Sequence, residues 1–134
     1  MSTELLSSWL ADATVVVRPV LDLARGDARD AHDPPAWMSE LVRLRDRHCV
    51  FPGCRRASAH CDLDHIVPYA PDGPPGQTRP DNLAPLCRGH HRAKTHGQWR
   101  YRRRGDGSYR WDSPTGRFFE VLPAPRRPRP PRLP

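Results

Sequence analysis

Two close pairs of cysteine and histidine residues could hold a metal ion. Cys49 and Cys54 are separated by four residues, Cys87 and His90 by two, and 32 residues lie between the pairs. Two such pairs joined by a long loop are typical of a structural zinc site, in which four ligands surround the ion as a tetrahedron. We therefore predict one zinc ion bound by these four side chains.

The chain of 134 residues has little apolar material for a core. Only 37% of its residues are hydrophobic, and it contains 17 prolines and nine glycines. Such a chain buries a small core and needs a further source of stability, which favours zinc. Two alternatives stay open: the cysteines are reduced, buried thiols beside a surface His90, or Cys61 replaces His90 as a ligand. We predict that Cys61 is instead a small buried residue on a strand.

Four polar residues lie in order between and beside these ligand pairs. Asp64 and His65 fall in a predicted strand, Asn82 starts a predicted helix, and His91 directly follows His90. Each has an ordinary structural explanation on its own, such as a hydrogen-bonded strand histidine or a helix cap. Their order inside the two ligand pairs is more specific than any of them alone, and it indicates a second site that could carry chemistry.

The hydrophobic patterns predict the elements that must position these residues. The helix predicted over 34–47 carries Trp37, Leu41 and Leu44 on one face. In chain order we predict a helix over 4–10, a strand over 14–21, a helix over 34–47, a strand over 61–67, a loop over 70–80 and a helix over 81–95. A three-stranded meander follows over 99–121, and its aromatic residues form a small satellite core. This is an α+β chain with a domain over 34–121, an N-terminal extension over 1–33, and a disordered Pro/Arg-rich tail over 122–134.

Positive charge is concentrated in the part of the chain that holds the cysteines. Residues 1–46 carry a net charge of −3 and residues 47–134 a net charge of +10. A basic block of this size favours a polyanionic partner, above all nucleic acid, although basic charge can also serve solubility alone. All but one of the 22 basic residues are arginine, which suits phosphate contacts, but a GC-rich genome would produce the same bias.

Four motifs together resemble the HNH endonuclease family, which has the ββα-metal fold. They are CVFPGC, CDLDHIVPY, DNLAPLC and CRGHHRAKTHGQW, and they extend from about Arg43 to Trp99. These motifs are most similar to those of actinobacterial proteins in which an HNH domain follows a large domain of unknown function. In those, a stretch like VVVRPVLDL precedes the nuclease and one like WRYRRRGDGSYRWDSPTG follows it. The chain thus resembles the C-terminal part of such a protein, or a short relative.

The resemblance implies a DNA endonuclease that hydrolyses phosphodiester bonds with a divalent cation. His65 would be the general base, since an imidazole can accept a proton near neutral pH. Asp64 and His91 would bind the cation, either Mg²⁺ or another divalent metal, and Asn82 would hold the loop and orient His65. His90 stands where many relatives have cysteine, which keeps a zinc ligand. Neighbouring strand residues face opposite sides, so either the strand twists or the cation lies at its edge beside the helix, and the resemblance implies the second.

Basic residues around this site could bind the phosphates of DNA. The candidates are Arg88, Arg92, Lys94, His96, Arg100 and Arg102. The rival interpretations are a zinc-stabilised nucleic-acid-binding module without activity, and an inactive nuclease fragment. The sequence has no run of 18 apolar residues and its start lacks the features of a signal peptide. We therefore expect a cytoplasmic bacterial protein that does not associate with membranes.

Overall fold

The computed structural model describes residues 8, 11 and 22–125. Within residues 22–125 there are two α-helices, five strands and two short 3₁₀ turns. In chain order they are α1 (Ala36–Arg45), a 3₁₀ turn (Ser58–His60), β1 (Asp62–His65), a second 3₁₀ turn (Pro80–Asn82), β2 (Leu83–Leu86), α2 (Arg88–His96), β3 (Arg100–Arg103), β4 (Tyr109–Asp112) and β5 (Phe118–Val121). The predicted α+β class is therefore confirmed. In this part of the chain, neither helix is long and apolar enough to cross a bilayer.

Helix α1 packs one face against the second strand. Its buried side chains are Met38, Leu41 and Val42, whose spacing places them together on the helix. They form a small core cluster with Leu83 of β2. The predicted apolar face is wrong at Leu44, which is 55% exposed, because the face turned toward β2 is centred on Met38 and Val42 instead.

Strands β1 and β2 form an antiparallel pair, and α2 follows directly after β2. The register places Asp64 opposite Ala84 and His65 opposite Leu83. The predicted helix over 81–95 is therefore wrong in its first half. All four residues of β2 are buried, and a short, wholly apolar run of this kind suits a covered strand better than a helix with one polar face. Pro85 fits this strand because its backbone polar groups point away from β1. Its carbonyl accepts a hydrogen bond from the Val50 N–H at 3.0 Å, so the missing N–H of the proline takes no bond from the pairing with β1.

Strands β3, β4 and β5 form the predicted three-stranded antiparallel meander. Its buried aromatic residues are Tyr101, Tyr109 and Trp111, and the rings of Tyr101 and Trp111 stack with centroids 4.2 Å apart. The predicted satellite core is wrong, because these rings share one core cluster with Cys49 and Ile66. The meander is therefore part of the main core, joined to the segment that carries the metal-ligand pairs.

Several predictions concern segments at the two ends of the chain. The helix over 4–10, the strand over 14–21 and the tail beyond residue 125 lie outside the described residues. Residues 22–33 contain no helix or strand, and a single β-bridge joins Arg29 to Thr78. The domain boundaries stay predictions, although this bridge links the predicted extension directly to the loop between β1 and β2.

Candidate metal centre and active site

The four predicted zinc ligands come together in one cluster. The ligand atoms of Cys49, Cys54, Cys87 and His90 all lie within 4.8 Å of one another. The Nδ1 atom of His90 is 3.5 Å from the Cys49 sulfur and 3.1 Å from the Cys87 sulfur. Around a tetrahedral zinc ion, a sulfur and a nitrogen ligand would be about 3.6 Å apart. Spacing and donor types therefore fit a structural zinc ion, with His90 rather than Cys61 as the fourth ligand.

Local structure explains how these ligands converge. A tight turn leads from Cys49 to Cys54, and Gly53 allows it by adopting a φ of 74°, which other residues rarely adopt. Cys87 is the N-cap of α2, and His90 lies in the first turn of that helix. The ring of His90 stacks on Phe51 with centroids 3.9 Å apart. This stacking fixes the imidazole plane before any metal binds.

The protonation of the two cysteines bears on metal binding, because zinc binds thiolates. Burial raises the pKa of Cys49 to about 12. Burial also opposes ionisation of Cys87, but hydrogen bonds from the His90 backbone and from Cys49 outweigh it and lower its pKa. A buried Cys49 thiolate therefore needs a compensating cation, and a zinc ion supplies that charge.

The second group of predicted residues gathers in a groove of about 800 Å³ at the edge of β1 beside α2. The Nε2 atom of His91 lies 3.4 Å from one carboxylate oxygen, Oδ1, of Asp64. The other imidazole nitrogen of His91 contacts the carboxylate of Asp62 at 2.9 Å. The contact with Asp62 orients the ring, so that Nε2 faces Asp64. A nitrogen and an oxygen at this separation can share one divalent cation between them.

The second oxygen of Asp64, Oδ2, is already fully engaged by the protein. It accepts hydrogen bonds from the Lys94 ammonium at 2.8 Å and from the Tyr101 hydroxyl at 2.7 Å. Burial, with the adjacent carboxylate, holds the pKa of Tyr101 well above its usual value, so this hydroxyl stays protonated and donates. Lys94 also donates to the backbone carbonyl of His65. Asp64 therefore offers Oδ1 alone to a ligand.

His65 faces the long loop rather than α2. Its Nε2 atom lies 2.9 Å from the Thr78 hydroxyl, which itself contacts the carbonyl of His32 at 3.3 Å. Because the hydroxyl donates its only proton to that carbonyl, it accepts one from Nε2, which leaves Nδ1 as the basic nitrogen. Burial, reinforced by the neighbouring His32, lowers the pKa of His65. The imidazole is thus neutral at neutral pH, as a general base must be.

Asn82 holds the segment that follows His65, but it does not cap a helix. It lies in the 3₁₀ turn before β2, and its side chain accepts from the Val67 N–H at 2.9 Å. The same side chain donates to the carbonyls of Val67 and Gln77 at 3.1 and 2.9 Å. The predicted helix cap is wrong, because residues 83–86 form a strand. The contacts of Asn82 with Val67 and Gln77 fit the predicted role of holding the loop.

We expect Asn82→Ala to destabilise the protein by about 1–3 kcal/mol, since it removes three hydrogen bonds from a buried side chain to part-buried backbone groups of the loop. The free energy of unfolding from urea denaturation measures this loss. Asn82→Asp should be destabilised at least as much, because it keeps the acceptor for Val67 but places a buried carboxylate against the carbonyl oxygens of Val67 and Gln77. An alanine variant as stable as the wild type would contradict this role.

The predicted phosphate-binding residues are not equivalent in the structure. Arg92, His96, Arg100 and Arg102 are exposed, as phosphate contacts require. Arg88 is also exposed but forms an ion pair with Asp62 at 3.0 Å. Lys94 differs from its prediction, because its side chain is only 9% exposed and is paired with Asp64. Its ammonium therefore orients the carboxylate and is not available at the surface.

Three residues that contact the predicted site residues carry no prediction of that role. Asp62 and Asp64 alternate along β1 and so share one face, which is a signal that could have paired Asp62 with His91. Tyr101 is predicted as a core residue, and the alternation of side chains along its strand gives no indication that its hydroxyl contacts Asp64. Thr78 carried no signal, since it lies 13 residues from His65 in an irregular loop.

Two curated proteins of Mycobacterium tuberculosis are similar to this chain over most of its length. The uncharacterized protein Rv3776 of strain ATCC 25618 / H37Rv is 41% identical over 104 residues, which is 75% of this chain. The uncharacterized protein MT2160 of strain CDC 1551 / Oshkosh is 40% identical over 111 residues, or 82% of this chain. The chain spans 19% of the length of each relative. No family model and no solved structure matches the chain.

Proposed function

We propose that this chain is a metal-dependent DNA endonuclease with an HNH-type ββα-metal core. The observation that supports the proposal best is the 3.4 Å approach of His91 to Asp64 at the edge of a strand pair that a helix follows. The neutral imidazole of His65 lines the same groove. A zinc-stabilised binding module would need none of these three side chains in this arrangement.

In this proposal His65 removes a proton from the water that attacks the phosphorus atom. Its Nδ1 atom accepts the proton, because Thr78 already engages Nε2 at 2.9 Å. The bond that breaks joins phosphorus to the 3′ oxygen of the sugar, which leaves a 5′ phosphate on the other fragment.

A divalent cation held by Asp64 and His91 would neutralise the charge that develops on the phosphate oxygens. The protein prepares these two ligands in advance. Lys94 and Tyr101 hold one oxygen of Asp64, and Asp62 holds the far nitrogen of His91. Outer contacts of this kind fix ligand orientation and are typical of metal sites in enzymes.

Incubation of the purified protein with supercoiled plasmid across Mg²⁺, Mn²⁺, Ni²⁺ and Zn²⁺ tests the proposal. We expect nicked and then linear plasmid with at least one of these metals. A protein that cuts neither plasmid nor single-stranded DNA with any of them is not a nuclease, and the binding module then becomes the better interpretation. That second candidate is favoured by the contacts of Arg88 and His91 with Asp62, which also fit a purely structural role.

Both candidates predict that the basic segment binds duplex DNA through its phosphates. If about five phosphates are neutralised, the logarithm of affinity should fall with the logarithm of salt concentration at a slope of roughly −4 to −5. Fluorescence anisotropy with a labelled duplex measures this slope. The double variant Arg100→Ala/Arg102→Ala, on the exposed face of β3, should reduce it by about two. An affinity that is constant with salt would show that the charge serves solubility alone.

A further inference from the structure

The segment that precedes α1 is hydrogen-bonded to the loop between β1 and β2. Arg29 and Thr78 exchange two backbone hydrogen bonds, of 2.7 and 3.3 Å. The carbonyl of Asp30 accepts from the Tyr69 hydroxyl at 2.9 Å, and its carboxylate accepts from the Gly76 backbone at 2.7 Å. Four hydrogen bonds over so few residues hold this segment against the loop, although residues 22–35 contain no helix or strand.

This attachment brings His32 to the groove that contains His65. The two imidazole rings lie with centroids 5.1 Å apart, and His32 is the same distance from the ring of Tyr69. The Thr78 hydroxyl links them, since it contacts the carbonyl of His32 and the Nε2 atom of His65. The position of His32 is thus tied to that of the proposed general base.

The side chain of His32 is exposed and has one nitrogen engaged. Its Nδ1 atom lies 2.8 Å from the carboxylate of Asp33, and the side chain is 65% exposed. Such an exposed ring adds little to the stability of the core. The Asp33 carboxylate at Nδ1 leaves Nε2 open, and an anion there would accept an N–H from the ring in its doubly protonated form.

We propose that His32 binds a phosphate of the DNA strand that occupies the groove, next to the phosphodiester attacked at His65. The inference rests on the proposed function and extends the site beyond the ββα-metal unit to a residue of the preceding segment. Among the groove-lining residues, Lys94 has its charge committed to Asp64. His32 and Arg100 are both exposed basic side chains of the groove, and His32 is the one whose ring lies against that of His65. This contact would recognise the phosphodiester backbone of DNA and would not depend on the base sequence.

The affinity of a short labelled duplex, measured by anisotropy without added divalent metal, tests this contact. We expect His32→Ala to weaken binding about tenfold, the usual effect of losing one charge-assisted hydrogen bond, and to reduce the salt slope by about one. His32→Arg should restore both, since a guanidinium also binds phosphate. His60→Ala is the matched control, because His60 is an exposed histidine that does not line the groove. Melting temperature and zinc content should match the wild type in every variant.

The outcomes separate this inference from the proposed function. If the wild type cuts plasmid and His32→Ala binds DNA with wild-type affinity and slope, the His32 contact is overturned and the nuclease proposal stands. If the wild type binds DNA without cutting it and His32→Ala binds more weakly than His60→Ala, the contact stands and the nuclease proposal falls. A His32→Ala variant with a lowered melting temperature would show a structural role and overturn the contact.

Discussion

We expect His65→Ala to abolish DNA cleavage while its fold, zinc content and DNA affinity stay near those of the wild type. A general base acts only in the transition state, and its removal typically lowers the rate by about 10²–10⁴-fold without weakening ground-state binding. The substitution should leave the zinc ligands undisturbed, because the His65 ring contacts the Thr78 hydroxyl and the rings of His32 and Tyr69. Single-turnover nicking of supercoiled plasmid gives the rate.

Two further variants make this comparison specific. Thr78→Val keeps the volume of a fully buried side chain but removes the hydroxyl that engages Nε2, so its rate should fall between those of the wild type and His65→Ala. His60→Ala should cut at the wild-type rate. If the wild type cuts and His65→Ala cuts equally well, the protein can still be a nuclease, but its base is another residue.

His91→Ala should also lose activity, but for a different reason. It removes one of two proposed ligands of the catalytic cation, so a higher metal concentration or a softer metal should restore part of the rate. No metal concentration should restore His65→Ala. A metal titration of both variants therefore separates the loss of a ligand from the loss of a base, and identical titration curves would contradict the separate roles.

Removal of the structural metal should have the largest effect on the fold. We expect about one tightly bound zinc per chain, and we expect Cys87→Ala or chelation of the metal to unfold the domain. Apparent binding energies of structural zinc in small domains are about 10–16 kcal/mol, which is comparable to or larger than the whole stability of a domain. Metal analysis and thermal unfolding followed by circular dichroism measure both effects.

The structure offers a matched control for this experiment. Cys61 is buried, as Cys49 is, but its sulfur contacts the backbone carbonyls of Arg56 and Ala57. Cys61→Ala should therefore keep its zinc and lose only about 1 kcal/mol of stability. A Cys87→Ala protein that retains both its zinc and its melting temperature would show that the cluster of cysteines is not a metal site.

The sequence predicted the metal cluster well because ligand spacing is a local property that survives errors in secondary structure. Cys87 and His90 are close whether residue 83 starts a helix or a strand. The error over residues 83–86 has a physical cause, since four apolar residues have no period and both structures can bury them. The pairing of β2 with β1 depends on residues about 20 positions away, and no local pattern contains that information.

The environment of the proposed catalytic residues was harder to predict for the same reason. Alternation along β1 placed Asp64 and His65 on different sides, and the structure agrees, with Asp64 facing α2 and His65 facing the loop. The partners that set their orientation lie in a loop and in the meander. Contacts of Thr78 and Tyr101 with these residues cross 13 and 37 positions of the chain, and they arise only from the tertiary fold.

The three buried aromatic residues of the meander each donate a hydrogen bond to a different part of the preceding chain. Trp111 donates to the carbonyl of Val50, Tyr109 to the carboxylate of Asp46 and Tyr101 to that of Asp64. These bonds couple the meander to residues 46–64, because separating the two would leave the aromatic donors and their acceptors without partners. We therefore expect the two parts to unfold together. A unit that ended at Gly97 would lack these donors, so we expect stable folding to require the chain through β4.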